Sequence, residues 1–106
     1  TLNLSGTDIR NLKLNKLINL KKLYLVDTNL KQLDVRKNKK VNIIRCNDNK
    51  KLKSIKLGKN VSLRTLDCSR TKIKSVNVKK CKRIKKIVCD KRVRVVGGNK
   101  GCKIYR

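Results

Sequence analysis

Residues 20–40 read LKKLYLVDTNLKQLDVRKNKK, residues 41–62 read VNIIRCNDNKKLKSIKLGKNVS, and residues 63–83 read LRTLDCSRTKIKSVNVKKCKR. The three stretches share the consensus LxxLx(L/C)xx(T/N)xLxxLxVxxNxx, and partial units precede and follow them. The second stretch has one extra residue near Lys50 and Lys51, where a turn would tolerate it. A repeat of about 21 residues is typical of a solenoid, in which each unit packs only on its neighbours.

Each unit contains two short segments in which apolar and polar residues alternate, as in Leu23 to Leu25 and Leu33 to Val35. A period of two is typical of a strand with one buried face, and no helical stripe of useful length is present. We therefore predict a mainly β solenoid of about 4–5 coils over residues 1–92. Each coil has two short strands that stack in parallel on the next coil at roughly 4.8 Å.

The last 14 residues, 93–106, have a different pattern. Two alternating runs, Val93 to Val96 and Cys102 to Tyr105, flank the glycine-rich stretch GGNKG. This arrangement favours a β-hairpin that caps the last coil and covers its edge. An irregular tail is the competing interpretation.

The pattern resembles the leucine-rich repeat family, in particular the cysteine-containing 21-residue repeats of internalin J and related bacterial surface proteins. Cys46, Cys68 and Cys89 fall at the sixth consensus position, and residues 33–38, LDVRKN, are similar to the LDVSxN half of that repeat. Later units depart from it, with Lys56 and Asn77 in place of its Asp. The resemblance implies a binding scaffold at the cell surface or outside the cell, but no particular ligand.

The cysteine positions indicate packing rather than disulfides or metal binding. Cys46, Cys68 and Cys89 stand where Leu4 and Leu25 stand in earlier units, so we expect a buried column of small hydrophobic side chains. The five cysteines are an odd number, and the chain has no His and no CxxC pair, so a zinc site is disfavoured and no cofactor is expected. Cys102 is either a free thiol or an intermolecular link.

The chain is very basic, with 32 Lys and Arg against six acids, all of them Asp, and a formal net charge of +26. The resemblance implies that the first strand and the turn after it form the concave side. The fifteen residues at consensus positions five, seven and eight of this side carry a net charge of −1, so the remaining surface carries +27. The predicted protein or ligand face consists of Tyr24, Val26, Arg45, Asn47, Asp67 and Arg70.

Lysines of the second half-unit recur in columns, and a ladder of cations attracts polyanions. The predicted polyanion-binding residues are Lys31, Lys53 and Lys74; Lys37, Lys59 and Lys80; Lys50 with Lys72; and Lys39 with Lys82. Nucleic acid, sulfated glycan and anionic cell-surface polymers all fit these ladders. With only Tyr24 and Tyr105 as aromatics, nucleic acid would be held by phosphate contacts without base reading. The other explanation is that the lysines only keep the protein soluble. A surface that is merely solvated, however, normally mixes positive and negative side chains.

Catalysis is not expected, because the chain has no His, no Glu, no paired carboxylates and no phosphate-binding loop at a helix start. No segment is long and apolar enough to span a membrane. Thr7, Thr28, Asn49 and Thr71 are predicted to bond backbone groups at the first bend, and Asn38 and Asn60 at the second.

Two functional classes remain from the sequence. The first is a module that binds a polyanion, with a protein partner possible on the concave face. The second is a structural subunit or fragment of a larger repeat protein that stacks end to end.

Overall fold

The computed structural model describes residues 1–106 and contains ten short β-strands and no helix. Each strand has two or three residues, because the chain bends out of extended geometry after one buried side chain. The strands are β1 (Leu2–Asn3), β2 (Lys22–Tyr24), β3 (Gln32–Asp34), β4 (Ile43–Arg45), β5 (Ser54–Lys56), β6 (Thr65–Asp67), β7 (Ser75–Asn77), β8 (Lys86–Val88), β9 (Arg94–Val96) and β10 (Lys103–Tyr105). No helix of a length and hydropathy suited to crossing a membrane is found.

The first strand of every coil joins one six-stranded parallel sheet, in the order β1-β2-β4-β6-β8-β10. Its register places Leu23 opposite both Leu2 and Ile44, and Leu66 between Ile44 and Ile87. The second strands form two smaller parallel sheets, β3 with β5 and β7 with β9. The predicted parallel solenoid of about five coils is therefore confirmed, with two strands in each coil except the first, which has only β1.

The hairpin predicted for residues 93–106 is not formed. Strand β9 pairs in parallel with β7, and β10 pairs in parallel with β8, so the chain continues the coil instead of folding back on itself. The free edges of β7 and β8 accept these strands at the repeat spacing. Gly97, at a φ of 86°, makes this path possible, because a Cβ there would lie 2.7 Å from the Cα of Lys79.

The interior is a single cluster of 23 buried apolar residues that runs through all coils. Of the 106 residues, 28 are buried, and the smallest dimension of the molecule is 16 Å. That thickness allows two sheets packed face to face at about 10 Å with side chains outside. Cys46, Cys68 and Cys89 lie in this core as free thiols, as predicted, and Cys81 joins them at the second bend.

Asn49 ties the first bend of one coil to the coil before it. Its Nδ2 donates to the carbonyl oxygens of Leu25 and Cys46, at 2.6 and 2.8 Å. Its Oδ1 accepts from the amide and the hydroxyl of Thr28. Thr71 Oγ1 donates to the carbonyl of Cys68 at 2.9 Å, so the predicted structural role of this column is confirmed. These bonds partner backbone groups that the bend would otherwise bury unpaired.

Asn38 and Asn60 act in the same way at the second bend. Nδ2 of Asn60 donates to the carbonyls of Val35 and Asn38, at 2.8 and 3.1 Å, while its Oδ1 accepts from the amide of Gly58 at 2.8 Å. Nδ2 of Asn38 also bonds two carbonyls of the previous coil, which confirms the prediction. The Oδ1 of Asn38, however, is buried without a partner. The counterpart of the Gly58 amide in this coil is the amide of Arg36, and it donates to the carboxylate of Asp34 instead.

Replacing Asn60 with Ala should lower the free energy of unfolding by about 2 kcal/mol, because buried backbone groups lose their partners. Urea denaturation followed by circular dichroism measures this change. Asn11, exposed and without a hydrogen bond of its side chain, supplies the control variant Asn11→Ala, for which we expect a change below about 0.5 kcal/mol. Equal effects of the two substitutions would show that the Asn60 bonds contribute nothing.

Candidate polyanion-binding surface

The solvent side of the six-stranded sheet, with the turn that follows each first strand, is called the sheet face below. The predicted ligand residues come together here: Arg45 is in register between Tyr24 and Asp67. Val26 and Asn47 follow these strands and are half-buried, and Arg70 lies in the turn. Binding of a partner to this face stays a prediction.

The turns after β1, β2, β4 and β6 each hold one residue in the left-handed region, whereas the turn after β8 holds none. These residues are Gly6, Asp27, Asp48 and Arg70, with φ values of 73°, 58°, 60° and 53°. Gly and Asp tolerate this conformation better than most residues, whereas Arg70 adopts it at a cost. The turn chemistry, rather than a ligand, therefore explains why Asp recurs here.

Five of the six acids accept hydrogen bonds within the fold. Asp90 Oδ1 accepts from the amide of Arg70 at 2.8 Å, and Asp67 Oδ1 accepts from the amide and hydroxyl of Ser69. Asp48 forms a bidentate pair with the Arg70 guanidinium, and this lowers the pKa of Asp48 to about 2. Three of the four acids of the sheet face thus accept hydrogen bonds from its turns, and no group of three possible metal ligands is present.

The ten predicted polyanion-binding lysines are all exposed. Adjacent coils hold the first column in register, since the amide of Lys53 donates to the carbonyl of Lys31 at 2.9 Å. One pairing needs correction. Lys72 precedes buried Ile73 as Lys51 precedes buried Leu52, so the extra residue of that coil puts Lys51, rather than Lys50, beside Lys72.

Sequence reasoning missed a basic surface at the corner where the second bend leads into the next first strand. Six cationic residues line it together with uncharged ones, and none of its lining residues is acidic. We call it the corner channel and define it by Lys21, Lys40, Arg64, Lys82, Arg83 and Lys85. Only Lys82 was among the predicted residues. The signal in the sequence was the repeat itself, which brings Arg64 and Lys85 into one column.

The corner channel consists of two adjoining clefts, of about 370 and 320 Å³, which share Arg64 and Arg83. A larger cleft, of about 730 Å³, lies elsewhere, along the first two coils. That cleft contains the Asp34–Arg36 ion pair, with nitrogen and oxygen 2.8 Å apart, and the neighbouring guanidinium lowers the pKa of Asp34. Because the Asp34 carboxylate neutralises the Arg36 guanidinium, this cleft is a poorer anion site than the corner channel.

The cysteines do not form a reactive site. Burial raises the pKa of Cys46 well above its ordinary value and the pKa of Cys68 to about 12, so both remain neutral thiols at physiological pH. Cys102 is partly buried and packs against the core.

No protein-family model, curated protein or solved structure was found to match the chain.

Replacing Arg70 with Gly should raise the pKa of Asp48 from about 2 towards its ordinary value of 3.8. Gly suits the positive φ of this position, and the remaining hydrogen bond from Asn47 should keep the pKa slightly lowered. Because the folded-state pKa is depressed, the pair stabilises the fold above about pH 4, and this contribution is lost as the pH falls towards 2. NMR titration of the Asp48 carboxyl carbon measures the change.

Arg92→Ala serves as the control, since Arg92 is exposed and has no ion pair. We expect it to leave the Asp48 titration unchanged. If Asp48 titrates alike in the wild type and in Arg70→Gly, the ion pair is not formed in solution.

Proposed function

We propose that the protein is a non-enzymatic leucine-rich repeat module, of the extracellular or cell-surface type that the resemblance implies, which binds a polyanion through its basic ladders. Nucleic acid, sulfated glycan and anionic cell-surface polymers are the candidate ligands. The observation that carries this proposal is the unequal distribution of charge. Exposed lysines occupy whole columns outside the sheet face, while four of the six Asp residues lie on the sheet face.

Stacking gives these columns an electrostatic reason to bind anions. Two unit charges at the coil spacing of roughly 4.8 Å repel each other by about 0.9 kcal/mol in water. The ladders, such as Lys31 with Lys53, contain no acid that would offset this repulsion. A bound polyanion replaces the repulsion with attraction and releases the counterions condensed on the polymer.

The arrangement favours contacts to a charged backbone over recognition of bases. The two aromatic residues, Tyr24 and Tyr105, lie on strands of the six-stranded sheet, away from the ladders. Tyr105 stacks under the ammonium of Lys86, which is 5.4 Å from the ring centroid. With no aromatic side chain along the ladders, bases cannot stack there, so affinity should depend on charge and salt rather than on sequence.

Replacing Lys31, Lys53 and Lys74 together with Ser should weaken polyanion binding and its dependence on salt. Each lost phosphate contact lowers the slope of log affinity against log salt by about 0.7 to 0.9, so we expect a decrease of about 2 to 3 if all three lysines engage. Fluorescence anisotropy with a labelled oligonucleotide, repeated with a labelled heparin fragment, measures this slope.

The matched control replaces Arg45, Lys86 and Lys91 with Ser, which removes the same three charges from the sheet face. We expect this variant to retain most of the salt dependence of the wild type. Equal losses in the two triple variants would mean that net charge alone governs binding. Unchanged affinity in the ladder variant would refute this placement of the site.

A second candidate function, the structural subunit, has an observation in its favour. Strands β1 and β10 are the end strands of the six-stranded sheet. At the first coil, Leu17 and Ile18 are 43% and 60% exposed and line a shallow cleft together with Leu2. Parallel edges and apolar ends are the features that would allow coils of one molecule to continue in another.

Light scattering at low and high salt distinguishes this second function from the first. If molecules stack end to end, oligomers should persist at high salt without any ligand. The substitution Asn3→Lys puts a charge on the edge strand β1 and should abolish these oligomers. A monomer that gains mass only with polyanion at low salt supports the binding module, and assembly that is indifferent to Asn3→Lys contradicts stacking.

A further inference from the structure

We infer that the polyanion is a single linear chain of phosphate groups, and that beyond its contacts to the ladders it lies in the corner channel, with Arg64 and Arg83 as its central anchors. This inference rests on the proposed function and goes beyond it in naming both the ligand chemistry and the residues. Polyphosphate and the backbone of a single nucleic-acid strand are two sources of the same chemistry.

The backbone under the corner channel is fixed by a continuous ladder of hydrogen bonds. The amide of Asn42 donates to the carbonyl of Lys21 at 2.8 Å, and the amide of Arg64 donates to the carbonyl of Asn42 at 2.9 Å. The amide of Lys85 donates in turn to the carbonyl of Arg64 at 2.9 Å. Four consecutive coils thus present their corner side chains in a line, at roughly 4.8 Å per coil.

Uncharged side chains of this line and of the adjoining column, Lys40, Ser62 and Arg83, create the recess. Asn42 and Ser62 stand between the long cationic residues and are half-buried, so they form the floor while Lys and Arg form the rim. Both supply hydrogen-bonding groups to a ligand without adding charge. The ladder of Lys31, Lys53 and Lys74 lacks this feature, since its lysines follow one another without a gap.

Arg64 and Arg83 have guanidinium groups that are free for a ligand. Three other arginines are already engaged: Arg36 and Arg70 pair with carboxylates, and Arg106 donates to three backbone carbonyls. Neither Arg64 nor Arg83 makes a side-chain hydrogen bond, and both belong to each of the two clefts. The planar guanidinium matches the tetrahedral phosphate with two parallel hydrogen bonds, which an ammonium group cannot make.

The length and charge of the channel fit one strand. From Lys21 to Lys85 the line covers three coil steps, about 14 Å. A linear chain carries a single row of phosphates, and this row can follow the line past six cationic side chains. A duplex would direct half of its phosphates away from so short and narrow a recess.

The test uses fluorescence anisotropy with a labelled 12-residue oligothymidylate over a range of salt concentrations, and unlabelled polyphosphate and a heparin fragment of matched charge as competitors. The variant Arg64→Ser/Arg83→Ser should lower the salt slope by about 1.4, which corresponds to about 25-fold weaker binding at 0.1 M salt. The matched control Arg45→Ser/Lys91→Ser removes two exposed cations of the sheet face, outside both the channel and the ladders, and should change the affinity less than fivefold.

A third variant, Arg64→Lys/Arg83→Lys, retains the charge and the length of both side chains and is expected to fold as the wild type does by circular dichroism. It should keep the salt slope but bind several-fold more weakly, because the bidentate bonds are lost. Unchanged affinity in this variant overturns the role of the two arginines, whether or not the Ser variant folds.

Polyphosphate should compete with the oligonucleotide, and heparin should compete less well. If polyphosphate fails to compete, or if heparin displaces the oligonucleotide more effectively, the ligand is not a phosphate chain and the inference is wrong. If the wild type binds no polyanion at 50 mM salt, the proposed function itself fails. If the ladder variant loses affinity while Arg64→Ser/Arg83→Ser behaves like its control, the proposed function stands and this inference alone is wrong.

Discussion

Parallel hydrogen bonding between consecutive coils is the constraint on which every other feature of this protein depends. The amide of Leu25 donates to the carbonyl of Arg45, that of Cys46 to Asp67, and that of Cys68 to Val88, each at 2.8 Å. A residue is thereby held beside its counterpart one repeat further along the chain. Residues that recur at the repeat spacing consequently form a column along the solenoid. The apolar core, the columns of Asn and Thr at the bends and the rows of cations all result from this one register.

This register explains why the coils and strands could be predicted from the sequence. It also explains why the path of residues 93–106 could not. Leu23, Ile44 and Leu66 are recognisable as a buried column for two reasons. Each is the apolar residue of an alternating strand segment, and each recurs at the repeat length of about 21 residues. In residues 93–106 the same alternation fits a hairpin equally well, since local pattern does not say which strand is the partner. The choice depends on the open edges of β7 and β8 and on the close passage of Gly97 against Lys79, neither of which is a local property of the sequence.

The candidate site was predictable to a similar extent. Exposure of Lys31, Lys53 and Lys74 follows directly from their places beside buried positions. The corner channel was missed because its cations are of two types and its columns are interrupted, so that Lys21 shares a column with Asn42 and Arg64. A search for columns of one residue type does not detect a mixed line. The interruptions are also what makes the recess, and a recess becomes visible only when neighbouring coils are stacked.

The distribution of charge follows from the chemistry of the turns, and this bears on why the surface is so basic. Negative side chains occur mainly where a turn needs an acceptor: Asp90 serves the amide of Arg70, and Asp34 serves the amide of Arg36 even though Asn38 Oδ1 is left without a partner. Solubility requires only a net charge, and acids placed between the lysines would reduce self-repulsion without abolishing it. Free guanidinium groups over an uncharged floor at Asn42 and Ser62 are not required for solubility. They suit a surface that accepts an anion, so the corner channel is the part of the molecule where the proposed function gives the basic composition a specific use.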